Sequence, residues 1–268
     1  TSVTAKLQGN GSDKDLSTVK LDSKVTEIDL NAQAATLDAD DLTNATVKLS
    51  GGSYTVKDSA SSVAGLTTAL FKDKVVVLTG EVDITNLGIV KKDATSVSYT
   101  KITDKADAIA GSLADIKAGV TVKVSNAANA TELTNIDKKV TDVGATLDLK
   151  KVTDSIGSLV GVKAKLSNKT VTINTDSTAA KYKEIVDSVG GGGTVSGAVN
   201  DSVAALTNGK ALTLTNASSV TAKLKNDGSD KDLSTVKLDS KVTVIDLNAQ
   251  AATLDADDLT NATVTLSG

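Results

Sequence analysis

The sequence predicts a repeat solenoid: a parallel β-solenoid with short helices, mixed α/β in class, built from βα coils of about 22–24 residues. Three observations predict it. Short β-rich runs recur with starts mostly 19 to 29 residues apart, and an apolar-x-Asp signature with helical spacing behind it follows many of them. The composition also lacks the large rings that fill a thick core: aromatic residues are 1% of the chain, namely Tyr54, Tyr99, Tyr182 and Phe71.

The strands are expected at Val3–Leu7, Val25–Leu30, Thr46–Leu49, Val75–Leu78, Ser96–Tyr99, Val120–Val124, Ala145–Leu149, Thr170–Ile173, Thr194–Val195, and Leu212–Thr215 with Val220–Leu224. Around Val3, Val25, Val75, Val97 and Val120, apolar residues alternate with Thr, Ser or Lys, the period of a half-buried strand. The signature behind them reads Val56-Lys57-Asp58, Ile102-Thr103-Asp104, Val152-Thr153-Asp154 and Val199-Asn200-Asp201. Apolar residues then follow at spacings of three and four, as in Val63, Leu66 and Leu70 or Ile109, Leu113 and Ile116. Each Asp is read as the N-cap of the helix behind it, its carboxylate accepting from first-turn N–H groups. Gly111, Gly119, Gly161, Asn208-Gly209 and the run Gly190–Gly193 supply turn geometry between elements.

One coil alone buries too few aliphatic side chains to offset the entropy of ordering its backbone, so coils must stack. Absence of Pro agrees with strands that donate N–H groups on both sides. A string of all-β sandwich domains is the alternative, but it is usually built on a buried Trp or Tyr and carries no helical spacing after each strand.

Internal duplication organises the chain. Residues 1–51 recur as residues 218–268, an offset of 217, with six differences: Thr1/Ser218, Gln8/Lys225, Gly9/Asn226, Asn10/Asp227, Glu27/Val244 and Lys48/Thr265. The expected organisation is one full repeat unit of stacked coils over 1–217 and the start of the next over 218–268, a window on a longer tandem array.

Composition excludes several kinds of chemistry. His, Cys, Met, Trp and Pro are absent, and the 29 basic residues are all Lys. Zinc sites of the usual kind, Ser–His and Cys–His pairs and haem ligation are therefore excluded. A net charge of −4 with interspersed signs offers no basic stripe for nucleic acid. No run is long and apolar enough to span a membrane. Ser17-Thr18-Val19-Lys20 and its copy at Ser234–Lys237 match S-x-x-K, but the companion S-D-N and K-T-G elements do not occur. Gly190–Gly193 fits neither nucleotide-binding glycine template.

Acidic clusters are the remaining ligand candidates. Asp38, Asp40 and Asp41, copied as Asp255, Asp257 and Asp258, and the pair Asp230 and Asp232 are candidate ligands for weak calcium binding. Neither stretch matches the twelve-residue calcium loop or the glycine-rich calcium nonapeptide, and helix capping is the competing role. Asn-x-Ser/Thr sequons occur at Asn10, Asn44, Asn129, Asn168, Asn200, Asn216 and Asn261.

The Thr/Ala/Asp/Val/Leu bias, the V-x-D-S runs at Val56–Ser59 and Val199–Ser202, and the near-identical repeats together resemble the repeat regions of giant bacterial surface proteins: adhesins, surface filaments and surface-layer proteins. The resemblance is compositional, covers the whole chain and carries over no functional residue. It implies an extracellular or cell-surface structural protein, not an enzyme, forming a rod, fibre, sheath or surface layer, with copies of itself as partner. An adhesin stalk or glycan-binding module is the alternative function, with glycans as candidate partner.

Overall fold

The computed structural model describes residues 2–9, 14–207, 214, 216–225, 229, 232–256, 260 and 262–265. Within them the chain is mixed α/β, with several parallel sheets joined by short helices, and none of the sheets closes into a barrel. The chain divides into two compact units, residues 1–125 with 136–148 and residues 126–135 with 149–268.

The first unit opens with β1 (Val3–Lys6), β2 (Val25–Asp29), β3 (Ala34–Leu37), α1 (Ala39–Asn44), β4 (Thr46–Lys48) and β5 (Ser53–Ser59). It continues through α2 (Ala60–Ala64), β6 (Val75–Thr79), α3 (Ile84–Asp93), β7 (Ser96–Ser98), β8 (Lys101–Asp104), α4 (Ala106–Gly111), β9 (Thr121–Val124), α5 (Ala130–Val143) and β10 (Thr146–Asp148). Its sheets run β1-β2-β4, β3-β5-β6-β7 and β10-β9-β8. The second unit holds β11 (Lys151–Asp154), α6 (Ile156–Gly161), β12 (Thr170–Ile173), α7 (Ala179–Val189), β13 (Thr194–Ser202), β14 (Ala217–Lys223), β15 (Val244–Asp246) and β16 (Thr263–Thr265). These six strands form one sheet in sequence order. The division between units passes through α5.

Every pairing between named strands is parallel, so each connection is a crossover that carries the chain back to its starting side. Helices make most of these crossovers. The same order, strand–short helix–strand–longer helix–strand, appears three times: β5-α2-β6-α3-β7, β8-α4-β9-α5-β10 and β11-α6-β12-α7-β13. Aliphatic residues hold the register in each. Val56 pairs with Val76 and Val76 with Val97; Ile102 pairs with Val122 and Val122 with Leu147; Val152 pairs with Val171 and Val171 with Val195. The first two members of each set are fully buried. Single bridges then start the next ladder, Val82 to Ile102, Ala128 to Val152 and Ser177 to Val199.

The longer helices bury one face at helical spacing: Leu87 and Val90 in α3, Leu133, Ile136 and Val140 in α5, Tyr182, Ile185 and Val189 in α7. Their ends follow local chemistry. Asp83 caps α3 by accepting from Asn86 N at 2.8 Å, and Asn129 and Glu132 cap α5 reciprocally at 2.8 and 2.9 Å. Gly190 closes α7 at φ 70°, a left-handed position suited to glycine.

Three sequence expectations change here. The apolar-x-Asp signature does not stand between strand and helix but ends a strand of its own: β5, β8, β11 and β13 all carry it. The helical spacing behind it gives short helices followed by separate 3₁₀ turns at Thr68–Leu70, Leu113–Asp115 and Lys163–Lys165, whereas the longer α3, α5 and α7 follow the intervening strands. The few rings are not excess to the core. Phe71 and Tyr182 are its largest fully buried side chains, because one ring supplies the apolar area of more than one small aliphatic residue. The strand expected at Leu212–Thr215 lies largely outside the described residues.

Candidate functional site

The signature aspartates make the most regular polar arrangement in the chain. Asp104 Oδ2 accepts from Ile84 N at 3.0 Å, Asp154 Oδ2 from Ala130 N at 3.0 Å and Asp201 Oδ2 from Ala179 N at 3.0 Å. Asp58 Oδ2 does the same for Ala39 N at 3.1 Å. In each case the donor is the first residue of a helix that lies 19 to 24 residues earlier in the chain. The second oxygen accepts from the next residue, as in Lys105 N to Asp104 Oδ1 at 2.8 Å and Ser155 N to Asp154 Oδ1 at 2.7 Å. The expected local N-cap is therefore corrected. Ser59, Ser155 and Ser202 cap the short helices and turns that follow, while the aspartates clamp the earlier helix to the later strand. The signal was present in the sequence as the spacing of 46, 50 and 47 residues between Asp58, Asp104, Asp154 and Asp201.

The candidate calcium residues Asp38, Asp40 and Asp41 lie at the start of α1 beside a cleft of about 720 Å³. The Ser17–Ser23 segment forms the other wall, with Asp22 and Lys20 on it. Asp38 is the N-cap, accepting from Asp41 N at 2.8 Å, and Asp41 in turn accepts from the backbone of Asp38. Asp40 is exposed. Asp41 is 5% exposed, and its Oδ2 has no hydrogen-bond partner among the described residues. Burial first, then the nearby Asp38 and Asp40 charges, push its pKa up to about 6. Burial likewise raises Asp38, with Asp40 and Asp58 adding repulsion.

In the copied segment, Asp255 is half-buried, and Asp230, Asp257 and Asp258 lie outside the described residues. Asp232 accepts from both the backbone and hydroxyl of Ser234, at 3.1 and 2.6 Å. Asp15 repeats this with Ser17 at the same distances, and Lys57 Nζ approaches its other oxygen at 3.1 Å. Among the described residues no three acidic side chains are gathered in a way that could hold a metal ion.

No protein-family model matches this chain, and no curated protein or solved structure matches it. Its chemistry has to be read from its own residues.

At the motifs singled out by sequence, the polar groups bond to the chain's own residues. Ser17, the S-x-x-K serine, donates its hydroxyl to Asp15. The serine hydrogen bond and Lys57 hold Asp15 below the usual carboxylate range, which makes it a poor base. The glycine run forms a tight corner: Gly192 and Gly193 pass close against Asn168 and Lys169 of the preceding turn. Tyr54 Oη and Tyr99 Oη each donate to a carbonyl sixteen residues on, Leu70 O at 2.7 Å and Asp115 O at 2.6 Å, with Lys74 and Lys117 over their rings. Tyr182 Oη is buried against Val195 O at 3.0 Å, and burial pushes its pKa up to about 12. No helix among the described residues is long and apolar enough to cross a membrane.

Proposed function

We propose that this chain is an extracellular or cell-surface structural repeat protein, not an enzyme, in which βα coils stack as a solenoid to form part of a rod, fibre, sheath or surface layer. One observation carries the reading: the same aspartate clamp recurs at β5, β8, β11 and β13, tying the starts of α1, α3, α5 and α7 each to a strand 19 to 24 residues further on. A clamp repeated along the chain resists peeling of one coil from the next, the property a load-bearing element needs. The parallel ladders add backbone hydrogen bonds in the same direction. The tyrosines serve the scaffold as well. Lysines cover the rings of Tyr54 and Tyr99, the faces a sugar would stack on, which favours a structural role over glycan binding.

Small-angle scattering on chains carrying one, two and three 217-residue units tests the reading. Nine or ten coils about 4.8 Å apart lengthen the particle by roughly 45 Å per unit at constant cross-section. Particles that grow in all directions with unit number overturn it.

A further inference from the structure

Three strands that end their sheets begin 50 residues apart: β4 at Thr46, β7 at Ser96 and β10 at Thr146. Three residues on from these starts stand Leu49, Tyr99 and Leu149. Tyr99 is 9% exposed and Leu149 3%, but Leu49 is 40% exposed. The helix before each strand differs as well, with 6 residues in α1, 10 in α3 and 14 in α5. Beside the shortest helix a groove of about 720 Å³ stays open, with Asn44, Thr46, Leu49, Tyr54, Leu66 and Leu70 in its walls. That volume is in the range that takes a small ligand.

Two residues before the three strand starts stand Asn44, Ala94 and Gly144. Of the three, only the position at the open groove carries a side chain that can accept a group, and Asn44-Ala45-Thr46 reads Asn-x-Thr. Asn44 is the last residue of α1, Ala45 is extended at φ −134° and ψ 148°, and Asn44 and Thr46 are both exposed. The other sequons are placed differently. Asn129 Oδ1 accepts from Glu132 N at 2.8 Å, and the Asn168 carboxamide lies against Gly192. Ser202 Oγ, the hydroxyl of the Asn200 sequon, accepts from Ala205 N at 3.3 Å. Asn216 is exposed, but the hollow it lines is only about 170 Å³. Asn10 and Asn261 lie outside the described residues.

We propose that Asn44 is a glycosylation site, its carboxamide carrying a hexose that lies in the adjoining groove over Leu49. A separate transferase carries out the reaction, with a nucleotide-activated hexose as donor. A bond forms between Asn44 Nδ2 and the sugar C1, and the C1–O bond to the diphosphate breaks. The nucleoside diphosphate leaves with that electron pair, and the amide releases one proton to solvent. The seated sugar covers apolar surface that, at Tyr99 and Leu149, the chain covers with its own residues. This inference goes beyond the structural reading and holds whether or not the chain assembles into rods.

The test incubates the folded chain with a soluble asparagine glucosyltransferase and UDP-glucose and reads site occupancy by peptide mass spectrometry. The expected result is one hexose on Asn44, several-fold above the occupancy at Asn129, Asn168, Asn200 or Asn216. Asn44→Gln and Thr46→Ala should each abolish it, while Thr46→Ser, which keeps the hydroxyl, should retain it. A synthetic peptide of residues 40–50 serves as the unfolded acceptor. A folded chain unmodified at Asn44 while the peptide is glucosylated overturns the proposal, and so does rejection of the peptide itself. Even occupancy across the sequons overturns it too, because the fold would then select nothing. Once Asn44 is glucosylated, amide exchange over residues 65–70 should slow several-fold; unchanged exchange overturns the seat in the groove.

Discussion

Asp104 Oδ2 accepts the backbone N–H of Ile84 at 3.0 Å, twenty residues earlier in the chain, while its Oδ1 accepts that of Lys105 at 2.8 Å. One carboxylate thus satisfies a first-turn donor of α3 and fixes the exit of β8. A helix terminus leaves its first N–H groups without intrahelical partners, and a charged acceptor bonds them more strongly than a neutral one. Asp154 and Asp201 make the same pair of bonds.

Replacing a clamp should therefore cost more than replacing a surface carboxylate. Asp154→Ala is expected to lower unfolding free energy by about 1–3 kcal/mol, whereas the exposed Asp176→Ala stays within about 0.5 kcal/mol. Urea denaturation measures both. Hydrogen exchange at the Ala130 amide gives the local readout, since that N–H loses its acceptor in the first variant only.

The buried Asp41 predicts an acid-side gain in stability. Its folded pKa of about 6 lies above the ordinary aspartate value of 3.8, so between these values the folded chain holds a proton that the unfolded chain has released. The contribution is complete below about pH 4 and is lost as pH rises through about 6. Asp41→Asn should flatten this window and raise stability at neutral pH by about 1–3 kcal/mol. Asp15, Asp29 and Glu81, whose pKa values are lowered, lose their contributions only at lower pH, so a melting series from about pH 4 to pH 7 separates the two effects.

Glu81 Oε1 lies 2.6 Å from Lys101 Nζ and 3.1 Å from Lys123 Nζ, joining residues of β8 and β9, and the two lysines lower its pKa to about 2. The group is exposed to solvent, so its effect should be salt-dependent. Glu81→Gln is expected to lower the melting temperature at low ionic strength, with the difference vanishing in molar salt.

Gly193 has no room for a side chain. A Cβ there would overlap the Lys169 carbonyl and lie 2.5 Å from Val189 Cγ1 and 2.8 Å from Lys169 N. Gly193→Ala should destabilise the second unit by about 1–3 kcal/mol, while Gly191→Ala, whose Cβ meets nothing within 4 Å, should have a much smaller effect. Comparing their denaturation midpoints tests the close approach.

Much of this was legible in residue order. Period-two alternation located β1, β2, β6, β7 and β9 to within a residue or two, because a half-buried strand must alternate its faces. β3, β5, β8 and β11 were missed; in the last three the apolar-x-Asp run read as the cap of a following helix, which hid the strand that carries it. The cleft beside α1 was legible only as an acidic cluster. That Asp41 is the buried member, with Asp40 facing solvent, depends on which side of α1 meets the core.

The sequence by itself determined the parallel α/β class, the 217-residue duplication, the exclusion of histidine and cysteine chemistry, and the recurrence of apolar-x-Asp. Periodicity, composition and identity are properties of residue order and need no third dimension. Only the tertiary structure decided what those aspartates bind and which acidic residue at the start of α1 is buried. A hydrogen bond to a helix about twenty residues away, like the burial of one carboxylate among neighbours, is set by which chain segments pack together, and residue order carries no mark of it.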